Sequence, residues 1–232
     1  ESVPKNIVEH LSYNGNIYAL GQTLRSNMLI VNTDLVEQLN VDLPENDWNW
    51  DGFTEFIKAC TNNEYSGIED LSDQYNWAPG AMSDNCTIIG YNYDTESFDL
   101  TAVQKYVNYV LDIKKLSGVE ATSLKQNSSS GVSDYEKKFG VASGADAAFC
   151  EGKVASSFTG TWRYANWNQK DLSFNWDLYP VPQSTAGRVP LHVDYCWMTT
   201  DIDKANVEAA WEFLRFVTYS KEGNIARLST YD

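Results

Sequence analysis

The sequence predicts an α/β protein, a sheet flanked by helices, and three observations carry that expectation. Short apolar runs such as Ile17-Tyr-Ala-Leu and Met28-Leu-Ile-Val have the length of strands. Longer stretches, Thr101 to Leu116 and Ala205 to Tyr219, repeat their apolar residues at helical spacing instead. The two kinds alternate along the chain, the pattern of α/β architectures. With 43% hydrophobic and 13% aromatic residues in 232, a core is within reach and intrinsic disorder is excluded.

Taken in order, the elements justify themselves locally. Two strands at residues 17–20 and 28–31 precede a short helix from Asp34 to Leu39, which the Asn40-Val-Asp-Leu-Pro44 turn ends. Asn49 is a good N-cap for a helix from Trp50 to Cys60, whose Phe53, Phe56 and Ile57 share one face. A weaker helical pattern runs from Gln74 to Met82 across Pro79 and Gly80. Ile88 to Tyr93 alternates as a strand, with Asp94-Thr-Glu-Ser as its turn. In the helix from Thr101, the inward residues are expected to be Val103, Tyr106, Val107, Val110, Leu111 and Lys114, with Gly118 just past the end. Lys125 to Gly131 is a polar loop.

The second half continues the alternation. Gly140-Val-Ala-Ser-Gly-Ala reads as a helix lead-in, because it lacks the third glycine and the Lys-Ser/Thr of phosphate-binding loops. A short helix over residues 144–152 feeds a strand from Lys153 to Phe158, and Thr159-Gly-Thr-Trp-Arg opens another helix. Trp176 to Pro182 is a strand closed by prolines, and Val189 to Thr199 is extended. In the last helix Val207, Ala210, Trp211, Leu214 and Val217 are expected to face inward.

Charge and composition remove several function classes. The formal net charge of −15 opposes binding to phosphate backbones, and no Lys/Arg cluster breaks the pattern, so no nucleic-acid partner is expected. No apolar run approaches the ~20 residues that span a bilayer. The two histidines, His10 and His192, are far apart, and no metal or other cofactor is expected. Cys60, Cys86, Cys150 and Cys196 contain no C-x-x-C pair. They form two disulfides in one of three connectivities or stand as thiols, the second being favoured because the chain is no small disulfide scaffold. No Gly-x-Ser-x-Gly elbow is present, and no catalytic residue is assigned.

What stands out is the aromatic content, 8 Trp and 14 Tyr, part of it in polar, loop-like positions. Trp162 follows Gly160 at a strand-to-helix junction, where open α/β sheets bind ligands; a core tryptophan capping the helix is the other reading. Tyr75 with Trp77, and Tyr195 with Trp197, are weaker versions of the same case. Trp50 and Trp211 fit the apolar faces of their helices and are assigned to the core, while Trp48, Trp167 and Trp176 are open. Sugars present flat C–H faces ringed by hydroxyls, which suits aromatic stacking beside polar side chains.

The order of blocks then resembles a known family. Tyr13-Asn-Gly-Asn-Ile-Tyr-Ala-Leu, Leu29-Ile-Val-Asn-Thr-Asp-Leu and Trp50-Asp-Gly-Phe-Thr-Glu-Phe resemble the extracellular solute-binding proteins of ABC transporters, of the family-1 class that includes maltose-binding protein. Ala147-Ala-Phe-Cys-Glu-Gly-Lys-Val-Ala, Phe158-Thr-Gly-Thr-Trp, Trp176-Asp-Leu-Tyr-Pro-Val-Pro and Ala209-Ala-Trp-Glu-Phe-Leu-Arg-Phe-Val-Thr continue the series in the family's order. Departures are Gly21, where the family carries proline, and the crossing His192-Val-Asp-Tyr-Cys-Trp, where it is glycine-rich.

The resemblance implies a periplasmic-binding-protein-like fold of type II. Residues from about 10 to 188 would form one ligand-binding lobe with a mixed sheet, and residues 189–232 a crossing strand and helices of the other lobe. It also implies a first segment, before Glu1, that builds most of that other lobe. Site residues carried over by position are Arg25 and Ser26, then Gln74, Tyr75 and Trp77, then the stacking Trp162 with Arg163 after it, and finally Asp194, Tyr195 and Trp197. The implied function is the extracellular, periplasmic or lipid-anchored binding component of an ABC importer. It would be a monomer that binds a carbohydrate between lobes and delivers it to permease subunits. Two other readings stay open: a glycoside hydrolase using a carboxylate pair, and a sugar sensor or adhesion module on the same fold.

Overall fold

A strand with three consecutive apolar residues needs cover on both faces, because its side chains alternate. Leu29, Ile30 and Val31 are each fully buried, and they lie in the 13-residue strand β3 (Leu20–Asn32). The computed structural model describes residues 3–72, 78–82, 91–92, 95–98, 100–124, 132–142, 147–160, 163, 172–185 and 191–229. These fall into two compact units, Asn27–Pro190 and a smaller one made of Glu1–Ser26 with Leu191–Asp232. The start expected near residue 10 for the larger unit lies upstream of this division. The reason is that residues 20–26 of β3 pair within the smaller unit.

In the larger unit, β3 is the middle of an antiparallel sheet. On one side lies β6 (Ser156–Gly160), with Asn27 opposite Gly160 and Val31 opposite Ser156. On the other lies β7 (Trp176–Pro180), with Met28 opposite Pro180 and Asn32 opposite Trp176. Leu29 and Val31 face one core, which also contains Phe158 and residues of α2 (Thr33–Gln38), α3 (Trp50–Ala59) and α5 (Thr101–Lys114). Ile30 faces a second core, formed with α6 (Asp134–Phe139) and α7 (Ala147–Cys150). The sheet is therefore sandwiched between helices, as the α/β reading requires. A five-residue helix, α4 (Ala78–Met82), and a two-strand ribbon, β4 (Tyr91–Asn92) with β5 (Ser97–Phe98), complete the described part of this unit.

The helices start where the sequence supplies caps. Asn49 Oδ1 accepts the Gly52 amide at 2.9 Å and opens α3, whose Phe53, Phe56 and Ile57 are buried as expected. Trp48, just before it, is buried; its Nε1 donates to the Pro180 carbonyl at 2.8 Å, tying α3 to β7. Trp50 is buried too. α6 was not expected from periodicity, yet Ser133 and Glu136 make a complete capping box and Gly140 closes it at φ 71°. Gly140 thus ends a helix rather than leading into one.

Two apolar faces differ from expectation. On α5 the buried stripe is Ala102, Tyr106, Val110 and Ile113, while Val107 and Leu111 are exposed. The stripe is narrower than the apolar pattern because only one side of α5 meets the sheet layer. In the smaller unit, α8 (Val207–Tyr219) has Ala210, Leu214 and Val217 half-buried and Thr218 buried, but Val207 and Trp211 are exposed. Trp211 therefore does not belong to a core. Phe213, Phe216 and Tyr219 are exposed as well, so this helix is apolar on more sides than its unit covers.

The smaller unit otherwise follows its sequence closely. Asn14 and Gly15, both at positive φ, turn the hairpin of β1 (Ser12–Tyr13) and β2 (Asn16–Ile17). β8 (Leu191–Cys196) pairs antiparallel with β3, with a register shift between Gly21 and Thr23. Gly21 lies in the packing of Ile7, Leu11 and Val193. Arg227 of α9 (Lys221–Leu228) donates to Thr23 Oγ1 at 2.6 Å and to the Gln22 carbonyl, tying that helix to β3. α1 (Lys5–His10) precedes the hairpin.

Cys60 and Cys196 are free thiols, and burial pushes the Cys60 thiol up to about 12, which keeps it protonated and inert. Cys86, the 125–131 loop and Trp167 lie outside the described residues.

Gly67 gives a sharp test of this packing. A Cβ there would lie 1.9 Å from the Ile57 carbonyl oxygen, whereas one on Gly80 would meet nothing within 4 Å. Gly67→Ala is expected to destabilise the larger unit by about 1–3 kcal/mol or more. Gly80→Ala, inside α4, should be neutral or stabilising by up to about 1 kcal/mol. Urea denaturation of the two variants checks both.

Candidate ligand-binding site

The site is built on an extended segment, Ser66 to Leu71, that runs beside β6. Ser66 and Glu69 donate their amides to the Lys153 and Ser156 carbonyls, at 3.1 and 3.0 Å. On the other flank, Ile68 donates to Val119, while Ala121 and Thr122 donate back to the Ile68 and Glu69 carbonyls. Held on both sides, the segment has no freedom in where it carries its acids, Glu69 and Asp70.

Glu69 is buried at 5% exposure. Its Oε2 accepts from Ser157 Oγ at 2.5 Å and pairs with Arg163 Nη2 at 3.5 Å, while its Oε1 is buried without a hydrogen-bond partner among the described residues. Arg163 also donates to the Phe158 carbonyl at 3.4 Å. Burial pushes the Glu69 carboxyl above its ordinary value, and Ser157 and Arg163 only partly offset it. Asp70 runs the other way: burial acts to raise it, but Ser72, Thr122 and the Lys114 charge outweigh that and leave it below its usual value.

A second buried acid stands next to them. Glu120 has no exposure, accepts the Leu71 amide at 2.8 Å and pairs with Lys114 Nζ at 2.9 Å. Burial again raises its carboxyl. Tyr106 adds its hydroxyl to the Leu71 carbonyl at 2.5 Å. Leu71 is thus held at both backbone groups, just before the stretch that contains Gln74, Tyr75 and Trp77. Arg163 stands directly after Trp162. The Glu69–Arg163 pair therefore fixes, from one point, the residues that adjoin both stretches. Gln74, Tyr75, Trp77 and Trp162 themselves lie outside the described residues.

In the smaller unit the structure brings other expected residues together. Arg25 and Asp194 form an ion pair through Nε and Oδ2, each side chain about one-third exposed. They lie diagonally across the β3–β8 ladder, since Arg25 is opposite His192. Ser26 is opposite Leu191 at the end of that ladder. Tyr195 and Trp197 are two apart, so they share a face, and their rings meet at 5.4 Å. Both are exposed, at 51% and 63%, which leaves them free to stack on a flat ligand.

Sequence reasoning missed Glu69, Ser157 and Glu120. The signal was a pair of acids inside Ile68-Glu-Asp-Leu71, an apolar setting where charge is retained only with partners. A cleft at the start of α3 takes in none of the expected site residues that are described. Among the described residues no group of His, Cys, Asp and Glu is arranged to hold a metal ion.

Known proteins give this architecture its class. The chain belongs to the bacterial extracellular solute-binding proteins, whose family pattern matches residues 3–232. These are proteins that bind solutes rather than enzymes. Among solved structures, the ABC substrate-binding protein Lmo0181 from Listeria monocytogenes, in complex with cycloalternan, superposes with a TM-score of 0.74 at 20% identity, over 99% of this chain and 55% of its own. An open conformation of the sugar transporter RHE_PF00321 from Rhizobium etli gives 0.61 at 18% identity, over 91% of this chain and 52% of its own. The chain thus spans about half the length of these relatives. No curated protein sequence matches it. No described helix is long and apolar enough to cross a membrane.

The raised carboxyls set a pH dependence with a definite sign. Glu69 and Glu120 each contribute stability below the ordinary value of 4.5, and that stability is lost as pH rises through their higher folded values. Asp70, being depressed, contributes stability above 3.8 that is lost as pH falls. Replacing Glu69 by Gln is expected to flatten the decline in urea midpoint as pH rises above the ordinary carboxyl value of 4.5. An unchanged slope would show that Glu69 does not ionise in that window.

Proposed function

We propose that the protein is the extracellular binding component of an ABC importer, taking up a carbohydrate and handing it to a membrane permease. The observation that carries this reading is the Glu69–Arg163 pair. In the chain, Arg163 directly follows Trp162 and Glu69 precedes the segment with Tyr75 and Trp77, so the pair holds two residues that neighbour these aromatics in sequence. A rigid base is what ligand-contacting side chains need, since loose placement forfeits affinity to conformational entropy. The exposed Tyr195–Trp197 pair adds a platform of the kind sugars use. The family assignment supports solute binding, and the two structural relatives are described as a cycloalternan complex and a sugar transporter.

On this reading the ligand residues are Trp162, with Gln74, Tyr75, Trp77 and Arg163 in the larger unit and Arg25, Ser26, Asp194, Tyr195 and Trp197 in the smaller. Arg25 and Asp194 offer hydroxyl groups a donor and an acceptor while neutralising each other, which suits an uncharged ligand. The protein works outside the cytoplasmic membrane as a monomer.

Calorimetry of the full-length protein against a panel of neutral oligosaccharides tests the ligand class. Saturable heat with at least one of them is expected; heat only with a peptide or a polyamine overturns the carbohydrate assignment. Trp162→Ala should weaken binding by about 1–3 kcal/mol, and unchanged affinity in a folded variant removes that residue from the site.

A further inference from the structure

The larger unit has a concavity that none of the expected site residues lines. It is a cleft of about 710 Å³, inside the roughly 300–1,000 Å³ range of small-molecule sites. Its walls are Trp50 and Asp51 at the start of α3, Asn108 and Tyr109 on α5, and Gln183 and Ser184 beyond β7. An isolated parallel bridge between Asn49 and Gln183, and the Gln183 amide bonded to the Trp48 carbonyl at 3.1 Å, fix the third wall against the first. Tyr109 is set by its hydroxyl on Thr54 at 3.0 Å and by an edge contact with Trp50 at 5.3 Å. The walls are preorganised.

Their chemistry selects a ligand class. Among the described residues, the Trp50 indole Nε1 and the Ser184 Oγ are both buried without a hydrogen-bond partner, although such groups are ordinarily satisfied. An indole N–H only donates, so its partner must accept; an ammonium ion has no acceptor and does not serve. A phosphate or carboxylate accepts, but the walls set two carboxylates, Asp51 and Asp112, against the single ammonium of Lys105, a balance that disfavours an anion. A hydroxyl both accepts and donates, and so answers the indole, the two carboxylates and the amides of Asn108 and Gln183 together. Tyr109 supplies the flat face beside them.

We propose that this cleft is a second binding site, for one or two units of a neutral saccharide, separate from the site based on Glu69 and Arg163. The residues that line it from α5, Lys105, Asn108, Tyr109 and Asp112, recur at helical spacing next to the buried stripe. Its existence does not depend on transport.

The test is a titration of the ¹⁵N-labelled full-length protein with maltose and with cellobiose, followed at the Trp indole N–H resonances, in the wild type, Asn108→Ala and Trp162→Ala. The expected result is a saturable shift of the Trp50 resonance. Its dissociation constant rises about fivefold in Asn108→Ala, the loss of about one hydrogen bond, and is unchanged in Trp162→Ala. No saturable Trp50 shift with either sugar overturns the proposal, as does a shift that Asn108→Ala leaves untouched. Binding abolished by Trp162→Ala alone overturns it while leaving the transport reading intact. Asn108 is exposed, and circular dichroism of the variant verifies that it folds.

Discussion

The register of β3 between β6 and β7 is the constraint on which the rest of the larger unit depends. Side chains alternate along a strand, so a slip of one residue would turn Leu29 and Val31 out of one core and Ile30 out of the other. The same register fixes where β6 ends, with Gly160 opposite Asn27, and therefore where Ser157 and the Phe158 carbonyl stand. Glu69 meets the first and Arg163 the second. Hydrophobic burial, which is non-directional, is thus converted by ladder pairing into a defined placement of polar groups.

Those polar groups come at an energetic disadvantage that the fold tolerates. Removing an acid from water is unfavourable, and a partner in place recovers only part of the loss. Glu69 and Glu120 each have a cation beside them, yet burial still dominates their protonation equilibria. A hydrophobic pair would hold the segment as firmly, but it would offer no acceptor. The Glu69 Oε1, buried with no bond among the described residues, is the kind of poised group that stability alone does not account for.

The sequence made the architecture legible wherever one local signal coincided with burial. Asn49 with Phe53, Phe56 and Ile57 identifies α3 correctly because cap and stripe agree, and Met28–Val31 identifies the central strand by its apolar run. Polar residues Gln22, Thr23, Arg25 and Ser26 hid the fact that β3 is one continuous strand, since its first half is only partly covered. α6 escaped because its evidence is a capping box and a closing glycine rather than periodicity. Val107, Leu111 and Trp211 were assigned inward because an apolar side chain shows a preference for burial, not the presence of a neighbour. Of the residues expected at the site, Arg25 pairs with Asp194 and the rings of Tyr195 and Trp197 meet, while the setting of Glu69 was invisible: an acid's surroundings are set in three dimensions.

The uneven setting of the tryptophans has an optical consequence. Trp48 and Trp50 sit in apolar surroundings and emit at short wavelength, whereas Trp197, at 63% exposure, and Trp211, at 40%, emit at the red end, where water relaxes around the excited indole. Among the described residues, these four tryptophans therefore contribute two populations from different parts of the chain. A soluble collisional quencher such as iodide reaches the red population first. A ligand that covers Trp197 would shift emission to the blue and shield it from quenching, without any label attached. The protein carries its own reporter, placed just past the end of β8.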